Sequence, residues 1–364
     1  MEKIKLLLVS DIYQIHTRRW AEWFAREGFE VLIASESSAG YEVPGCMVAD
    51  LSGQNLIEQF FSIKKLIAQF KPDILHAHTV SKKSWLSAAC NFHPFVLTAW
   101  GSDVFVDAHK NIFYELMARY TLRKADVITS DSEALKSETI RMGGTASGNH
   151  VIHWGIDLDT FKPGLDTKDL RKKMRLEGKK VIFSGRHFFP KYNIMSIIRS
   201  FPDVLKKIPE TVLVLKTAWK DPDYEKELRA AVSFLGIDAN VRYVGELEHS
   251  DMPLFYNMSD LFISVPFSDS ISISILEAMA CGCVPVVGDL ESTRECFKDG
   301  VNGRMVPVTD VAALSRAITD LLGNEKTMTE IKANNLNYAK ESFDQNMWMS
   351  KMKGLYLGAV NERK

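Results

Sequence analysis

The chain reads as an α/β protein made of two doubly wound domains, and three observations predict this. With 364 residues it is too long for one typical core and suits two. Short apolar runs alternate with helical patterns from one end to the other, as in parallel sheets wound by right-handed crossovers. That alternation is interrupted once, where Val151-Ile152-His153-Trp154-Gly155-Ile156-Asp157 is followed by Phe161-Lys162-Pro163-Gly164. A strand, a glycine and then Pro-Gly mark the exit from one domain.

In the first half, Ile4–Val9, Val31–Ala34, Ile74–Ala77, Phe95–Ala99 and Val127–Thr129 read as buried strands. Residues 17–27 and 56–70 carry apolar side chains at helical spacing, and Gly28 is placed to terminate the first of these helices. The polar stretch 166–180 leads into the second half. There Lys180–Ser184, Thr211–Lys216, Val241–Val244, Leu261–Val265 and Val284–Val287 read as strands, with helices over 224–235 and 274–280.

Composition narrows the function. The net charge is −1, and residues 1–155 hold 16 basic and 17 acidic side chains, leaving 29 of each for the remainder. Neither half has the basic excess of a nucleic-acid binder. Five cysteines form no C-x-x-C pair, so neither a disulfide framework nor a zinc ribbon is expected, and a reducing cytoplasm fits. The apolar run near the start is too short for a signal peptide or a spanning helix.

Ligands of open α/β sheets bind beyond the strand carboxyl ends, so the informative residues should follow strands. After the strand ending at Ser184 comes Gly185-Arg186-His187-Phe188-Phe189-Pro190-Lys191. Two cations in such a loop, a planar fork and a point charge, can neutralise a diphosphate. Asp269-Ser270-Ile271-Ser272 then leads into a helix carrying Glu277. Backbone N–H groups at that helix start favour an anion, and carboxylates on either side favour hydroxyls. Together these residues fit a nucleotide-sugar.

The ordered set resembles glycosyltransferase family 4, retaining nucleotide-sugar transferases of GT-B fold. Five stretches carry the resemblance: Gly185-Arg186…Lys191, Val244-Gly245-Glu246-Leu247, Asp260–Pro266, Asp269…Glu277-Ala278-Met279-Ala280-Cys281-Gly282, and Glu295…Asp299-Gly300…Asn302-Gly303…Val306-Pro307. The resemblance implies two Rossmann-like domains facing a cleft: residues 1–155 on the acceptor side and 156–340 holding the donor. A helix within 341–364 would pack back on the first domain. By position, Arg186 and Lys191 would hold the donor diphosphate, Asp269 would face the sugar ring and Glu277 would accept the ribose hydroxyls. Ser270, Ile271, Ser272, Gly245 and Leu247 would complete the donor site. The expected donor is a UDP- or GDP-sugar, the acceptor a hydroxyl that can be lipid-linked, with no essential metal. A cytoplasmic protein with room for peripheral contact at the inner membrane face follows from the same likeness.

The chain departs from the family pattern in two places. The usual Gly-Phe-Gly after the first acid is Ser270-Ile271-Ser272, and that acid is Asp269 rather than Glu. In the first domain, Thr98-Ala99-Trp100-Gly101-Ser102-Asp103 stands where many members have Thr-x-His-Gly-x-Asp. Trp100 can stack on a sugar and donate one hydrogen bond but cannot move a proton. Asp103 is the candidate for polar contact there, or else a helix cap. His16 and Arg19 follow the first strand, where an acceptor or phosphate could be touched, with Thr17 as a cap. His76 and His78 share one face of a strand but lack a third metal ligand, so packing is their expected role. Trp20, Trp23 and Phe24 could meet a membrane surface or pack on the sheet.

Overall fold

The computed structural model describes residues 3–37, 40–217 and 219–363. Two compact units divide the chain: residues 1–154 with 346–364, and residues 155–345. The first unit contains seven parallel strands, β1 Lys5–Val9, β2 Glu30–Ser35, β3 Cys46–Asp50, β4 Ile74–His78, β5 Phe95–Thr98, β6 Val127–Ser130 and β7 Asn149–Val151. Their order is β3-β2-β1-β4-β5-β6-β7. The second contains six, β8 Lys180–Ser184, β9 Thr211–Lys216, β10 Val241–Val244, β11 Leu261–Ser264, β12 Val284–Gly288 and β13 Arg304–Val306, in the order β10-β9-β8-β11-β12-β13.

Every central strand was legible because both of its faces are buried, which makes it a continuous apolar run. In the second unit this is visible residue by residue. Ile182, Leu213 and Leu261 join one apolar cluster, while their neighbours Phe183, Val214 and Phe262 join another across the sheet. The strands not anticipated lie at sheet edges. β3 pairs only with β2 and leaves Met47 and Val48 exposed, and β13 pairs only with β12.

The helix Ile15–Arg26 ends at Gly28, whose φ of 87° supplies the expected left-handed terminator. Thr17 is not its cap. It is buried, and its hydroxyl lies 2.7 Å from Ser10 Oγ. Trp20, Trp23 and Phe24 are buried, so this helix offers no aromatic face to a membrane. Trp20 Nε1 donates to Tyr356 Oη (3.1 Å) and Trp23 Nε1 to Asn346 Oδ1 (2.9 Å), which ties the last helix into the first unit.

The second crossing of the chain runs beside the first. Ile156 N donates to Phe343 O (2.6 Å) and Gln345 N donates to Ile156 O (3.0 Å). A Cβ on Gly155 would stand 2.4 Å from Gln345 Cα, so the approach requires glycine. The same constraint acts more severely at Gly303, where φ is 147° and a Cβ would stand 2.0 Å from Pro285 O. Gly300, in the same motif, has a φ of 75° but open space around it. Gly303→Ala should therefore cost more than about 3 kcal/mol, against about 1 kcal/mol for Gly300→Ala. Denaturant unfolding of the two variants checks this, and equal midpoints would contradict it.

Candidate functional site

In the second unit the loops after β8 and β11 converge on one guanidinium. Arg186 stands two residues past the end of β8, after Gly185, and its side chain is only 11% exposed. Its Nη2 donates to Asp269 Oδ2 (2.6 Å) and its Nη1 to Ser272 Oγ (2.6 Å) and Ser274 Oγ (3.2 Å). Burial works against its charge, but the Asp269 carboxylate more than offsets that and raises its pKa above the ordinary arginine value. The guanidinium lies 4.4 Å from the Tyr192 ring centre, and Lys191 Nζ lies 5.0 Å from the same ring. The two cations predicted five residues apart are thus gathered around one aromatic side chain.

Ser272 precedes the helix Ile273–Ala280, and no side chain caps that helix start. The Ser272 hydroxyl turns to Arg186 instead, leaving the first-turn donors without a side-chain acceptor. Ser270 and Ile271 are buried beside it. Glu277, one turn further on, is 4% exposed. Its Oε1 lies 2.9 Å from His249 Nε2 and its Oε2 accepts from Tyr256 Oη (3.2 Å). The opposing negative charge, after burial, holds the Tyr256 phenol well above its usual pKa.

Two residues belong to this site that sequence reasoning passed over. His249 orients Glu277 from the loop after β10, a place where its position behind a strand was the available signal. Lys216 is the last residue of β9, in register with Val244 and next to the Ser184 neighbour Leu215. Burial pushes its pKa down and Arg186 adds to that, while Glu277 and Glu246 pull it up. It read as an ordinary strand end. Gly245 is exposed with open space around it, whereas Leu247 packs against the apolar cluster. Asp157 accepts from Asp159 N (3.0 Å) and Thr160 Oγ1 (2.7 Å) in a turn. Among the described residues, no group of three or more His, Cys, Asp or Glu converges as a metal site.

In the first unit a cavity of about 380 Å³ opens beyond β1, β4 and β5. Trp100 forms part of its wall. Its ring meets His16 (5.7 Å), His78 (5.7 Å) and Trp154 (5.2 Å), which brings His16 and Trp100 together. Arg19 is half-buried on the helix and does not line this cavity. Asp103 corrects an expectation. It was the candidate for polar contact, but it is 5% exposed and its carboxylate accepts from Val80 N (2.6 Å) and Trp100 N (3.1 Å). It ties the loop after β4 to the loop after β5. Burial raises its pKa against the lowering effect of those amides.

His76 and His78 serve packing. His76 Nδ1 lies 2.5 Å from Tyr356 Oη and Nε2 2.7 Å from Thr98 Oγ1. Burial holds His76 well below its usual pKa, His78 at about 3 and His153 at about 4. An unfolded histidine titrates near 6.5. The stability these neutral rings contribute is therefore full above about pH 6.5 and is lost as pH falls toward 4 and below. Six of the seven tryptophans lie in this unit, so fluorescence-detected denaturation should show its midpoint falling between pH 6.5 and 4. His78→Gln should flatten that slope by about one proton; an unchanged slope would contradict the assignment.

Comparison with known proteins bears on the family and the fold. The family model for "Glycosyl transferases group 1" matches residues 166–338, and that for "Glycosyl transferase 4-like" matches residues 5–132. A phosphatidyl-myo-inositol mannosyltransferase of Mycolicibacterium smegmatis is 24% identical over 331 residues, covering 86% of this chain and 81% of that protein. A GDP-mannose-dependent alpha-(1-6)-phosphatidylinositol monomannoside mannosyltransferase of the same organism is 27% identical over 58% of this chain, and the match spans only 57% of that relative. HepE of Anabaena, solved with UDP and glucose, superposes with a TM-score of 0.86 at 19% identity, covering 96% of this chain and 98% of that one. Sucrose-phosphate synthase of Thermosynechococcus elongatus gives 0.84 at 16% identity, covering 98% and 99%. The fold is GT-B.

Proposed function

This chain belongs to the glycosyl transferases of group 1, and we propose that it moves a sugar from a nucleoside-diphosphate-sugar to an acceptor hydroxyl with retention of configuration. The observation that carries this reading is the gathering of Arg186 and Lys191 on Tyr192, beside Asp269 and the uncapped helix that holds Glu277. The bond from the sugar carbon to the leaving phosphate oxygen breaks as the acceptor oxygen bonds to that carbon. The departing diphosphate takes up the acceptor proton, which leaves no need for a separate base. Arg186, Lys191 and the helix-start N–H groups stabilise the charge that develops on it. Glu277, oriented by His249 and Tyr256, accepts the ribose hydroxyls. A UDP or GDP donor is supported by the UDP of HepE and the GDP-mannose dependence of the mycobacterial relative.

A lipid-linked acceptor is supported by the phosphatidylinositol-directed relatives and by an exposed face of the first unit. On the helix Ile112–Lys124, Ile112, Leu116 and Tyr120 recur at four-residue spacing, and with Phe113 they are exposed. Lys110, Arg119, Arg123 and Lys124 occur in the same stretch, with Lys110 paired to Asp107 and Arg119 to Glu115. Apolar side chains framed by cations suit an anionic bilayer surface, which is the occupant assigned to this face. Among the described residues no helix is long and apolar enough to cross a membrane.

Two measurements test these readings. Arg186→Ala with Lys191→Ala should lower sugar transfer by about 10²–10³-fold or more, and Glu277→Ala should mainly weaken nucleotide binding in a thermal-shift titration with UDP and GDP. Wild-type transfer by the double variant would sink the diphosphate assignment. A non-catalytic nucleotide-sugar binder, the second reading that Trp100 motivates, would release no nucleotide from any donor. For the apolar face, vesicles containing phosphatidylglycerol should sediment the protein, and Phe113→Ser with Leu116→Ser should weaken this by about tenfold or more. Dimerisation through the same residues without vesicle binding would overturn the bilayer assignment.

A further inference from the structure

Lys216 is a cation that the second unit leaves without a counter-charge. It is the last residue of β9, and alternation along that strand sets the direction of its side chain. Val212 and Val214 belong to the apolar cluster that also holds Tyr256, Leu276 and Ala278, whereas Leu213 and Leu215 belong to the one across the sheet. Lys216 therefore emerges on the face of Val214, where the helix Ile273–Ala280 carries Glu277. The two carboxylates of the site are already engaged: Asp269 by Arg186, and Glu277 by His249 and Tyr256. Among the described residues, none forms an ion pair with Lys216.

Such a charge works against the fold. Lys216 is half-buried; burial disfavours its ammonium and the Arg186 guanidinium repels it, with Glu277 and Glu246 attracting it. A cation placed for stability would have an acid in contact. One kept at a strand end, beside a second cation and short of an anion, is arranged for an anion that arrives from outside.

Sheet order identifies which part of a ligand meets it. β9 stands between β10 and β8. The loop after β10 carries His249, which lies 2.9 Å from Glu277 Oε1, and the loop after β8 carries Arg186. Lys216 is in register with Val244, the last residue of β10, and its neighbour Leu215 with Ser184, the last residue of β8. A ligand that reaches from Glu277 to Arg186 therefore passes the end of β9. With ribose hydroxyls on Glu277 and the departing phosphate on Arg186, the group between them is the phosphate attached to the ribose.

We propose that Lys216 is a specificity-determining residue of the donor site, whose ammonium pairs with the phosphate next to the ribose and so selects nucleoside phosphates over the bare nucleoside. The assignment rests on the nucleotide-sugar reading, and it is testable without turnover. The full-length protein is titrated with UMP, UDP, GMP and GDP by calorimetry, and with uridine and guanosine by saturation-transfer NMR. For the base that binds, Lys216→Met should weaken the monophosphate and the diphosphate alike, by about tenfold or more, and leave the nucleoside signal unchanged. Removing an unmatched charge should also leave the unfolding midpoint of the ligand-free variant no lower than that of the wild type. Lys216→Arg, which keeps the charge, should recover most of the lost affinity. A nucleoside weakened as much as its phosphates, or a lowered ligand-free midpoint with no recovery in Lys216→Arg, would show a structural lysine and overturn the proposal. Two further outcomes separate the readings: nucleotide binding that Lys216→Met leaves intact defeats this assignment alone, and a wild-type protein that binds no nucleotide defeats the donor reading and this assignment with it.

Discussion

The candidate site of the second unit is organised around the charge of Arg186. A guanidinium that is mostly removed from water needs an anion and several acceptors, and its surroundings supply them from one loop: Asp269, Ser272 and Ser274. The arrangement fixes the loop after β11 against the loop after β8, and it settles where the helix Ile273–Ala280 begins. It also explains why that helix is uncapped, since the serine placed to cap it is bonded to Arg186 instead. Removing Asp269 would leave a mostly buried guanidinium without its counter-charge. The geometry of the site and the local stability of its loops therefore depend on the same contacts.

The first unit uses a neutral network where the second uses charge. Tyr356 of the last helix meets His76 (2.5 Å), His76 meets Thr98 (2.7 Å) and Thr98 meets Thr129 (2.6 Å). These polar residues sit on β4, β5 and β6, in the middle of a buried sheet, and each finds its partner on the next element. Their satisfaction makes them affordable in a core that would otherwise reject them. The cost is carried by histidine: rings held neutral this far below their ordinary pKa make the unit sensitive to acid. Above the network, at the strand ends, the same packing of aromatic rings presents Trp100 and His78 to the cavity.

How much of this could be read from the residues follows from burial. The central strands, buried on both faces, announce themselves, and Leu56–Phe70 has the bounds its apolar spacing suggests. Edge strands β3 and β13 did not, because half their surface faces solvent and short mixed sequences look like loops. The order Arg186, Lys191, Asp269, Glu277 was legible since each residue follows a strand in a family-like pattern. What the pattern could not give was occupancy. Asp103 looked available and is bound to backbone amides, a use of carboxylate that leaves no trace in spacing. Lys216 and His249 carry no motif at all and enter the site only through the parallel register that puts their strand ends beside Arg186 and Glu277. Similarly, the aromatic run Trp20, Trp23 and Phe24 suggested a surface, but the last helix, distant in sequence, covers it.

The tryptophan at position 100 narrows the chemistry open to the first-unit cavity. Tryptophan cannot exchange a proton, and burial keeps His78 neutral down to about pH 3, so neither group can serve as an acid there at neutral pH. Asp103 is committed to backbone amides, and the Asp11 oxygen that faces Lys83 is committed to it. That leaves Asp11 Oδ1 as the wall carboxylate oxygen without a partner. The two units thus differ in electrostatics: Arg186 and Lys191 gather in one, while in the other the cavity's Lys83 and Lys110 are matched by carboxylates.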